Sequence, residues 1–421
     1  MRRAAGALVA VTGFVVIAAA IVYALNVRDE SPSTATSAFA PTADDVRRGA
    51  YLARAGDCIA CHTARGGAAY AGGRPIETPF GIVYGSNLTP DARTGIGTWT
   101  ADDFWRALHN GRSRDGRLLY PAFPYPNFTQ VTRGDADALF AYLRTLPAVS
   151  QPNTPHALRF PYDNAIALAL WRALFFRPGV FEPERGQTAE WNRGAYLVRG
   201  LGHCDACHAG RNLFGAVSHT LELGGGLIPM QNWYAPPLTS AAGAGVADWE
   251  TEHVVSLLRT GISPRGSAMG PMAEVVYLST QYLSQEDLGA IAVFLKALPQ
   301  APDPPPATAG ATDPRASANG AKLYDDHCSG CHGKEGQGAY PAYPALAGNR
   351  TVTADPPANA IRAVISGGYA PATTGNPRPY GMPPFVYTLR EDDIASVLSY
   401  VRGAWGNQAR PVTTFDVHRY R

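Results

Sequence analysis

All six cysteines of the chain fall in three copies of one pattern: Cys58-Ile59-Ala60-Cys61-His62, Cys204-Asp205-Ala206-Cys207-His208 and Cys328-Ser329-Gly330-Cys331-His332. Two thiols at this spacing can form thioethers to a porphyrin edge, and the histidine that follows reaches the iron as an axial ligand. The pattern predicts covalent haem c at Cys58 and Cys61, at Cys204 and Cys207, and at Cys328 and Cys331, with His62, His208 and His332 on the three irons. Competing chemistries fit less well. A redox Cys-x-x-Cys pair has no need of the histidine, and zinc sites combine such pairs in even numbers. With ten histidines in 421 residues, chance placement after all three pairs is expected on the order of once in 10⁵. Three haems in one chain predict an electron carrier.

The second axial ligand decides what each iron does. A thioether raises the reduction potential, a second imidazole lowers it, and an open position admits small molecules. The chain has five methionines: Met1, Met230, Met269, Met272 and Met382. Met382, in Gly381-Met382-Pro383-Pro384-Phe385, follows the third motif and precedes the last helix of its repeat, where such a ligand belongs. Met272, in Gly270-Pro271-Met272-Ala273, holds the same place in the second repeat, ahead of Met269 three residues away. The first repeat has Phe123 there, in Tyr120-Pro121-Ala122-Phe123-Pro124-Tyr125, and contains no methionine. Its haem is therefore either five-coordinate or bound by another donor. His109 is the nearest imidazole in sequence and His156 a more remote one; a core or surface role for His109 stays open.

These motifs need helices to hold them, and the chain repeats the same helical plan three times. Each repeat opens on Gly-Ala in a short helical segment: Gly49-Ala50-Tyr51-Leu52, Gly194-Ala195-Tyr196-Leu197 and Gly320-Ala321-Lys322-Leu323. A Pro/Gly-rich loop follows, then a helix over Trp99 to Asn110, Trp249 to Thr260 or Ala358 to Ser366. Each repeat closes with an amphipathic helix, Asp135 to Leu146, Gln285 to Leu298 or Glu391 to Trp405, whose apolar residues recur at helical spacing. First and last helices crossing beside a haem is the plan of class I cytochrome c. The expected fold is all-α: three such domains in series with long Pro/Gly-rich loops, after an N-terminal transmembrane helix. The boundaries read as 1–28 anchor or signal segment, 43–149 first domain, 150–190 interdomain segment, 191–299 second domain, 300–316 Pro-rich linker, 317–407 third domain and 408–421 tail.

Two apolar segments bear on location. Ala4 to Leu25 is uncharged, and its 22 residues would reach about 33 Å as a helix, enough for a bilayer core. Arg2 and Arg3 would remain cytoplasmic, which puts the body on the periplasmic side of the bacterial inner membrane. A cleaved signal peptide ending near Ala38-Phe39-Ala40 is the rival, although charged Arg28, Asp29 and Glu30 separate that site from the apolar run. The second segment, Ala165 to Phe176, is too short to span a membrane. It reads as a buried interdomain helix or as an interfacial or partner-docking one. The net charge of +2 gives no sign of a nucleic-acid partner.

From Thr42 onward the chain resembles the tri-haem cytochrome c subunits of bacterial membrane-bound dehydrogenases of alcohols, gluconate, fructose and aldehydes. The resemblance rests on Arg48-Gly49-Ala50-Tyr51-Leu52, Tyr84-Gly85-Ser86-Asn87-Leu88-Thr89-Pro90, Leu119-Tyr120-Pro121-Ala122, Trp191-Asn192-Arg193-Gly194-Ala195-Tyr196-Leu197, Gly202-His203-Cys204 and Gly270-Pro271-Met272-Ala273-Glu274-Val275-Val276. It implies an accessory subunit that takes electrons from a catalytic dehydrogenase subunit and delivers them to ubiquinone or a terminal oxidase. Phe123 departs from the methionine of the alcohol and gluconate branch. Segments like Tyr120 to Tyr125 occur in cytochromes that accompany molybdenum and iron–sulfur dehydrogenases of aldehydes or N-heterocycles. The competing function is a haem enzyme with peroxidase-like chemistry at an open first haem, for which His109, Arg106 and Arg112 are the nearby polar groups. A soluble shuttle cytochrome fits poorly with the chain's size and apolar N-terminus.

Overall fold

The computed structural model describes residues 2–28, 39–218, 222–241, 243–301 and 314–421. Most of the linker expected at 300–316, and Ala38 of the small-x-small site, lie outside the described residues. Helices form the frame. In chain order they are α1 (Arg2–Val27), α2 (Ala43–Ala55), α3 (Cys58–His62), α4 (Ala101–Asn110), α5 (Tyr125–Phe128), α6 (Arg133–Leu143) and α7 (Ala165–Phe175). There follow α8 (Ala189–Ala195), α9 (Asp205–His208), α10 (Thr251–Thr260), α11 (Pro271–Leu278), α12 (Gln285–Lys296), α13 (Pro314–His327), α14 (Ser329–His332), α15 (Arg350–Thr353), α16 (Ala358–Ser366), α17 (Glu391–Gly403) and α18 (Thr414–Tyr420).

The expectation of an all-α chain omits short strands. An antiparallel sheet joins β1 (Pro75–Thr78), β2 (Gly81–Tyr84) and β3 (Ala157–Leu158), with Ile76 opposite Val83. Two-residue ladders pair β4 (Gly226–Leu227) with β5 (Tyr234–Ala235), β6 (Ile262–Ser263) with β7 (Gly266–Ser267), and β8 (Gly368–Tyr369) with β9 (Gly381–Met382). Each lies in the irregular backbone between helices, where buried peptide groups pair with whatever strand runs alongside. The two-residue strands are too short to carry an alternating pattern that a sequence could display.

Residues 1–53 with 61–182 form one compact unit, and residues 54–60 with 183–421 form another. The first holds one helix crossing, α2 on α6; the second holds two, α8 on α12 and α13 on α17. All three are built alike. A methyl group added at Gly49 would fall 1.8 Å from the Ala138 carbonyl oxygen and 2.8 Å from Tyr142 Cβ. At Gly194 the same distances are 2.0 Å to the Ala290 oxygen and 2.7 Å to Phe294 Cβ. At Gly320 they are 2.3 Å to the Ser396 oxygen and 2.9 Å to Tyr400 Cβ. The backbones touch because the first helix has no side chain there, and an aromatic residue one turn further along the last helix closes the crossing. Around Gly194 the rings of Trp191 and Phe294 pack edge to face, 5.1 Å apart.

Capping sets where the last helices begin. Thr132 accepts from the Asp135 amide and Ser284 from the Asp287 amide. The residue before the crossing glycine then pairs with that same aspartate: Arg48 with Asp135, and Arg193 with Asp287 through two bonds of 2.7 Å. The third crossing has Asn319 in place of the arginine, and Asp393 is served instead by Arg390, the residue just before its own helix.

Because Gly194 has no room for a side chain, Gly194→Val should destabilise the second unit by about 1–3 kcal/mol, the usual range for overpacking. Gly289→Ala, whose methyl would meet only Glu190 Oε1 at 3.7 Å, should instead stabilise it by about 0.5–1 kcal/mol, as alanine does in a helix. Calorimetric unfolding of both variants checks the crossing; a Gly194→Val protein that melts like the parent would contradict it.

Candidate functional site

Each cysteine motif sits on a single helical turn, in or at the start of α3, α9 and α14. Residues i, i+3 and i+4 lie on one face of such a turn, so both sulfurs and the imidazole share a side. None of the six sulfurs is in a disulfide, and Cys207 and Cys331 reach the surface. Desolvation pushes the Cys204 thiol up to about 12 and the Cys328 thiol up to about 11.

The three histidines are held alike. His62 Nδ1 lies 2.7 Å from the Ser86 carbonyl oxygen, His208 Nδ1 2.9 Å from that of Pro236, and His332 Nδ1 2.9 Å from that of Pro344. Burial lowers the pKa of all three imidazoles against the opposing effect of that bond. A neutral ring donating through Nδ1 keeps the Nε2 lone pair for a metal, the usual orientation of a ligating histidine. Two thiols and one such imidazole on the same helical face fit a covalently held haem. The carbonyls that orient the rings were not legible as chemistry, since any residue has one. A signal for them does exist: Ser86, Pro236 and Pro344 each stand two residues before a leucine, Leu88, Leu238 and Leu346. The loops are fixed from behind. A Cβ at Gly85 would come within 1.9 Å of the Cys61 carbonyl oxygen, and Asn87 donates to the Val149 carbonyl at 2.8 Å.

The sulfur candidates separate by position. Met382 lies in β9, opposite Gly368 of β8, and is half-buried. Met272 is the second residue of α11, whose N-terminus follows Gly270 at φ 55°, and is also half-buried. Met269 turns elsewhere: its methyl lies 3.6 Å from where a Gly368 Cβ would stand, in the loop of the third repeat. Met230 is over half exposed.

In the first repeat Phe123 occupies the methionine place, its ring 5.4 Å from that of Phe128. His109 is buried at the end of α4, stacked 4.5 Å from Trp105. Its Nδ1 is 2.8 Å from the Thr129 carbonyl oxygen, the same contact the three motif histidines make. His156 is instead tied to β2, its Nδ1 accepting from the Tyr84 amide at 3.2 Å. The groups considered for small-molecule chemistry have structural partners: Arg106 with Asp103 and the Arg114 carbonyl, and Arg112 with the carbonyls of Gly116 and Asn26.

Sequence reasoning missed one cluster entirely. Arg172 of α7 is almost fully buried, donating at 2.7 Å to the Asn110 carbonyl and at 3.3 Å to that of Gly111. A cation there opposes the negative end of the α4 dipole. Its Nε donates to Asn26 Oδ1 at 2.9 Å, so the end of α1 and the helix bearing His109 share one guanidinium. A lone arginine in an apolar run could have marked it, because such a charge is buried only when its donors are met.

A cytochrome c family model matches residues 46–147 and 317–405. Over most of its length the chain is similar to cytochrome c subunits of known dehydrogenases. It is 38% identical to that of a quinone alcohol dehydrogenase from Gluconacetobacter polyoxogenes, over 90% of this chain and 85% of the relative. It is 37% identical to that of a gluconate 2-dehydrogenase from Pantoea cypripedii, over 92% and 93%. One component of the nicotinate dehydrogenase of Pseudomonas putida is 41% identical over 85% of this chain, which there covers 30% of the relative.

The positions of the two neighbouring methionines lead to a direct comparison. Met272→His should lower the midpoint potential of one haem by roughly 0.1–0.2 V, a fraction of the ~0.8 V that axial ligands span, whereas Met269→Leu should leave all midpoints in place. Spectroelectrochemical titration reads both, and the reverse result would move the ligand to Met269.

Proposed function

The chain belongs to the family of cytochrome c subunits of dehydrogenase complexes, and from that premise we propose that it is the tri-haem electron carrier of a membrane-bound dehydrogenase. Substrate is oxidised on a catalytic partner subunit, and this chain delivers the electrons to ubiquinone or a terminal oxidase. The observation that carries the reading is the threefold repetition of one donor set: two cysteines and a histidine on one helical turn, each imidazole bonded to a backbone carbonyl. Bound haem c supplies reversible one-electron chemistry at iron. The protein's part is to attach it through Cys58, Cys61, Cys204, Cys207, Cys328 and Cys331, and to set its potential through His62, His208, His332, Met272 and Met382.

The first haem is the exception, with no methionine in its repeat, and we assign it the lowest potential of the three. Its second ligand is His109 or none; the Thr129 contact of His109 matches that of the motif histidines and supports the former. The Tyr120–Tyr125 segment, together with the similarity to a nicotinate dehydrogenase component, favours a molybdenum and iron–sulfur partner that oxidises an aldehyde or N-heterocycle.

The body is placed on the periplasmic side of the inner membrane by a retained N-terminal anchor. Ala5–Val27 is long and apolar enough to cross a bilayer, and its most apolar 18-residue stretch is not buried in the protein. The bond between Asn26 and buried Arg172 supports retention, since cleavage near Ala40 would take away a partner of a buried cation, and a hydrogen bond to a charged group is worth about 1.5–3 kcal/mol.

Two measurements test this reading. The intact mass should exceed that of the polypeptide by three haem groups, and Cys204→Ser/Cys207→Ser should remove one of them; a parent carrying two or fewer would contradict the tri-haem assignment. Phe123→Met should raise the lowest midpoint by roughly 0.1–0.2 V, within the same ~0.8 V range. A lowest midpoint that belongs to another haem would refute the assignment for the first.

A further inference from the structure

Helix α7 is apolar on two sides, and only one of them is packed. Leu168, Arg172 and Ala173 are buried. On the other side Ile166, Leu170 and Leu174, spaced four residues apart and so in line along the helix, are 71%, 47% and 66% exposed. Phe160, just before the helix, is 82% exposed. Soluble surfaces rarely carry a continuous row of large apolar side chains, and one that does marks a contact with something apolar.

The neighbouring helix indicates what that is. The membrane-length segment Ala5–Val27 ends against α7. Asn26 Nδ2 donates to the Ala169 carbonyl at 2.9 Å, Arg172 Nε donates to Asn26 Oδ1 at 2.9 Å, and Arg28 donates to the Phe176 carbonyl. The bare stripe thus begins beside the place where α1 passes from apolar residues to polar ones. Its surroundings suit phospholipid headgroups: Arg159 and Arg177 are exposed at its two ends, and Asp163 is the one acid between residues 157 and 181.

We propose that α7 is a lipid-interface helix. Ile166, Leu170 and Leu174, with Phe160, lie in the headgroup–acyl boundary of the bilayer on the side where α1 emerges, so the first unit is held to the membrane by two elements instead of one tether. The proposal rests on α1 being a retained anchor.

The test places the photoreactive amino acid benzoylphenylalanine singly at Leu170, Leu174, Phe14 or Tyr387 in the full-length haem-containing protein, irradiates it in its own membranes, and identifies adducts by mass spectrometry. All four positions are exposed, and haem staining checks that each variant has folded. Phospholipid adducts at Leu170, Leu174 and Phe14, with none at Tyr387 of the second unit, are the expected result. Lipid at Phe14 but at neither α7 position would overturn the interface and leave the anchor standing. Absence of lipid at Phe14 would remove the anchor on which the proposal rests. Crosslinks from Leu170 to a protein chain would give the face to a partner subunit, and equal lipid labelling at Tyr387 would show mere proximity to membrane; either outcome sinks the proposal.

Discussion

A hydrogen bond between an imidazole Nδ1 and a backbone carbonyl sets the geometry of each cysteine motif, and much of the surrounding chain serves to keep that carbonyl in place. Ser86, Pro236 and Pro344 lie in loops with little regular structure, so other contacts must fix them. Asn87 and Thr89 tie the first loop to the segment at Val149. In the third repeat Asn407 donates to the Leu346 carbonyl at 3.0 Å while its own oxygen accepts from the Gly348 amide at 2.8 Å. A loop that wandered would free the ring to rotate, and Nε2 would no longer point where a porphyrin attached to the cysteines would need it. The glycine crossings do the same work at longer range, because the motif follows the first helix of each repeat and inherits its position.

The repeat plan was legible because its parts depend on residue type. Gly49, Gly194 and Gly320 stand out in sequence, and each crosses a carbonyl of the last helix. The helix Ala358–Ser366 forms as read, and the others differ at their ends for local reasons. Thr100 caps α4 through its hydroxyl, and Glu250 stands in extended backbone just before α10, so Trp99 and Trp249 fall outside them. The π-helical turns at Tyr196–Leu201 were not legible, since five of the six residues are buried and no one-sided apolar period shows there. Nor were the short strands and the orienting carbonyls, which are backbone features. The choice between Met269 and Met272 was left open by spacing alone, and the side-chain position that bears on it, with the Met269 methyl 3.6 Å from where a Gly368 Cβ would stand, is a packing feature that no spacing displays.

Two buried arginines show how the chain handles charge away from water. Arg172 and Arg402 are among the most deeply buried large side chains described, and both spend their donors mainly on carbonyls. Arg402 bonds those of Val352, Ala354 and Arg410, and burial pulls its pKa down to about 10. In each case the cation gathers carbonyls that would otherwise lack donors. Arg402 thereby joins α15 to the C-terminal tail, and Arg172 joins α4 to α1.

That last link bears on why the first repeat differs from the others. Its α4 ends in His109, Asn110 and Gly111, and Gly111 sits at φ 59° with the Tyr125 ring and the Arg172 guanidinium filling the space a side chain would need. Tyr125 follows Phe123 by two residues, and burial pushes its hydroxyl up to about 12. The loop that carries a methionine in the other repeats is here pressed between α4 and α7 and packed with Phe123, Tyr125 and Phe128. Tyr125 meets Phe176 edge to face at 4.9 Å. Aromatic rings fill such a wall and bury more area than a thioether would. On this argument the missing methionine and the attachment of α1 have one origin: the loop that holds a methionine in the other repeats here packs against α4 and α7, to which α1 is tied through Asn26 and Arg172.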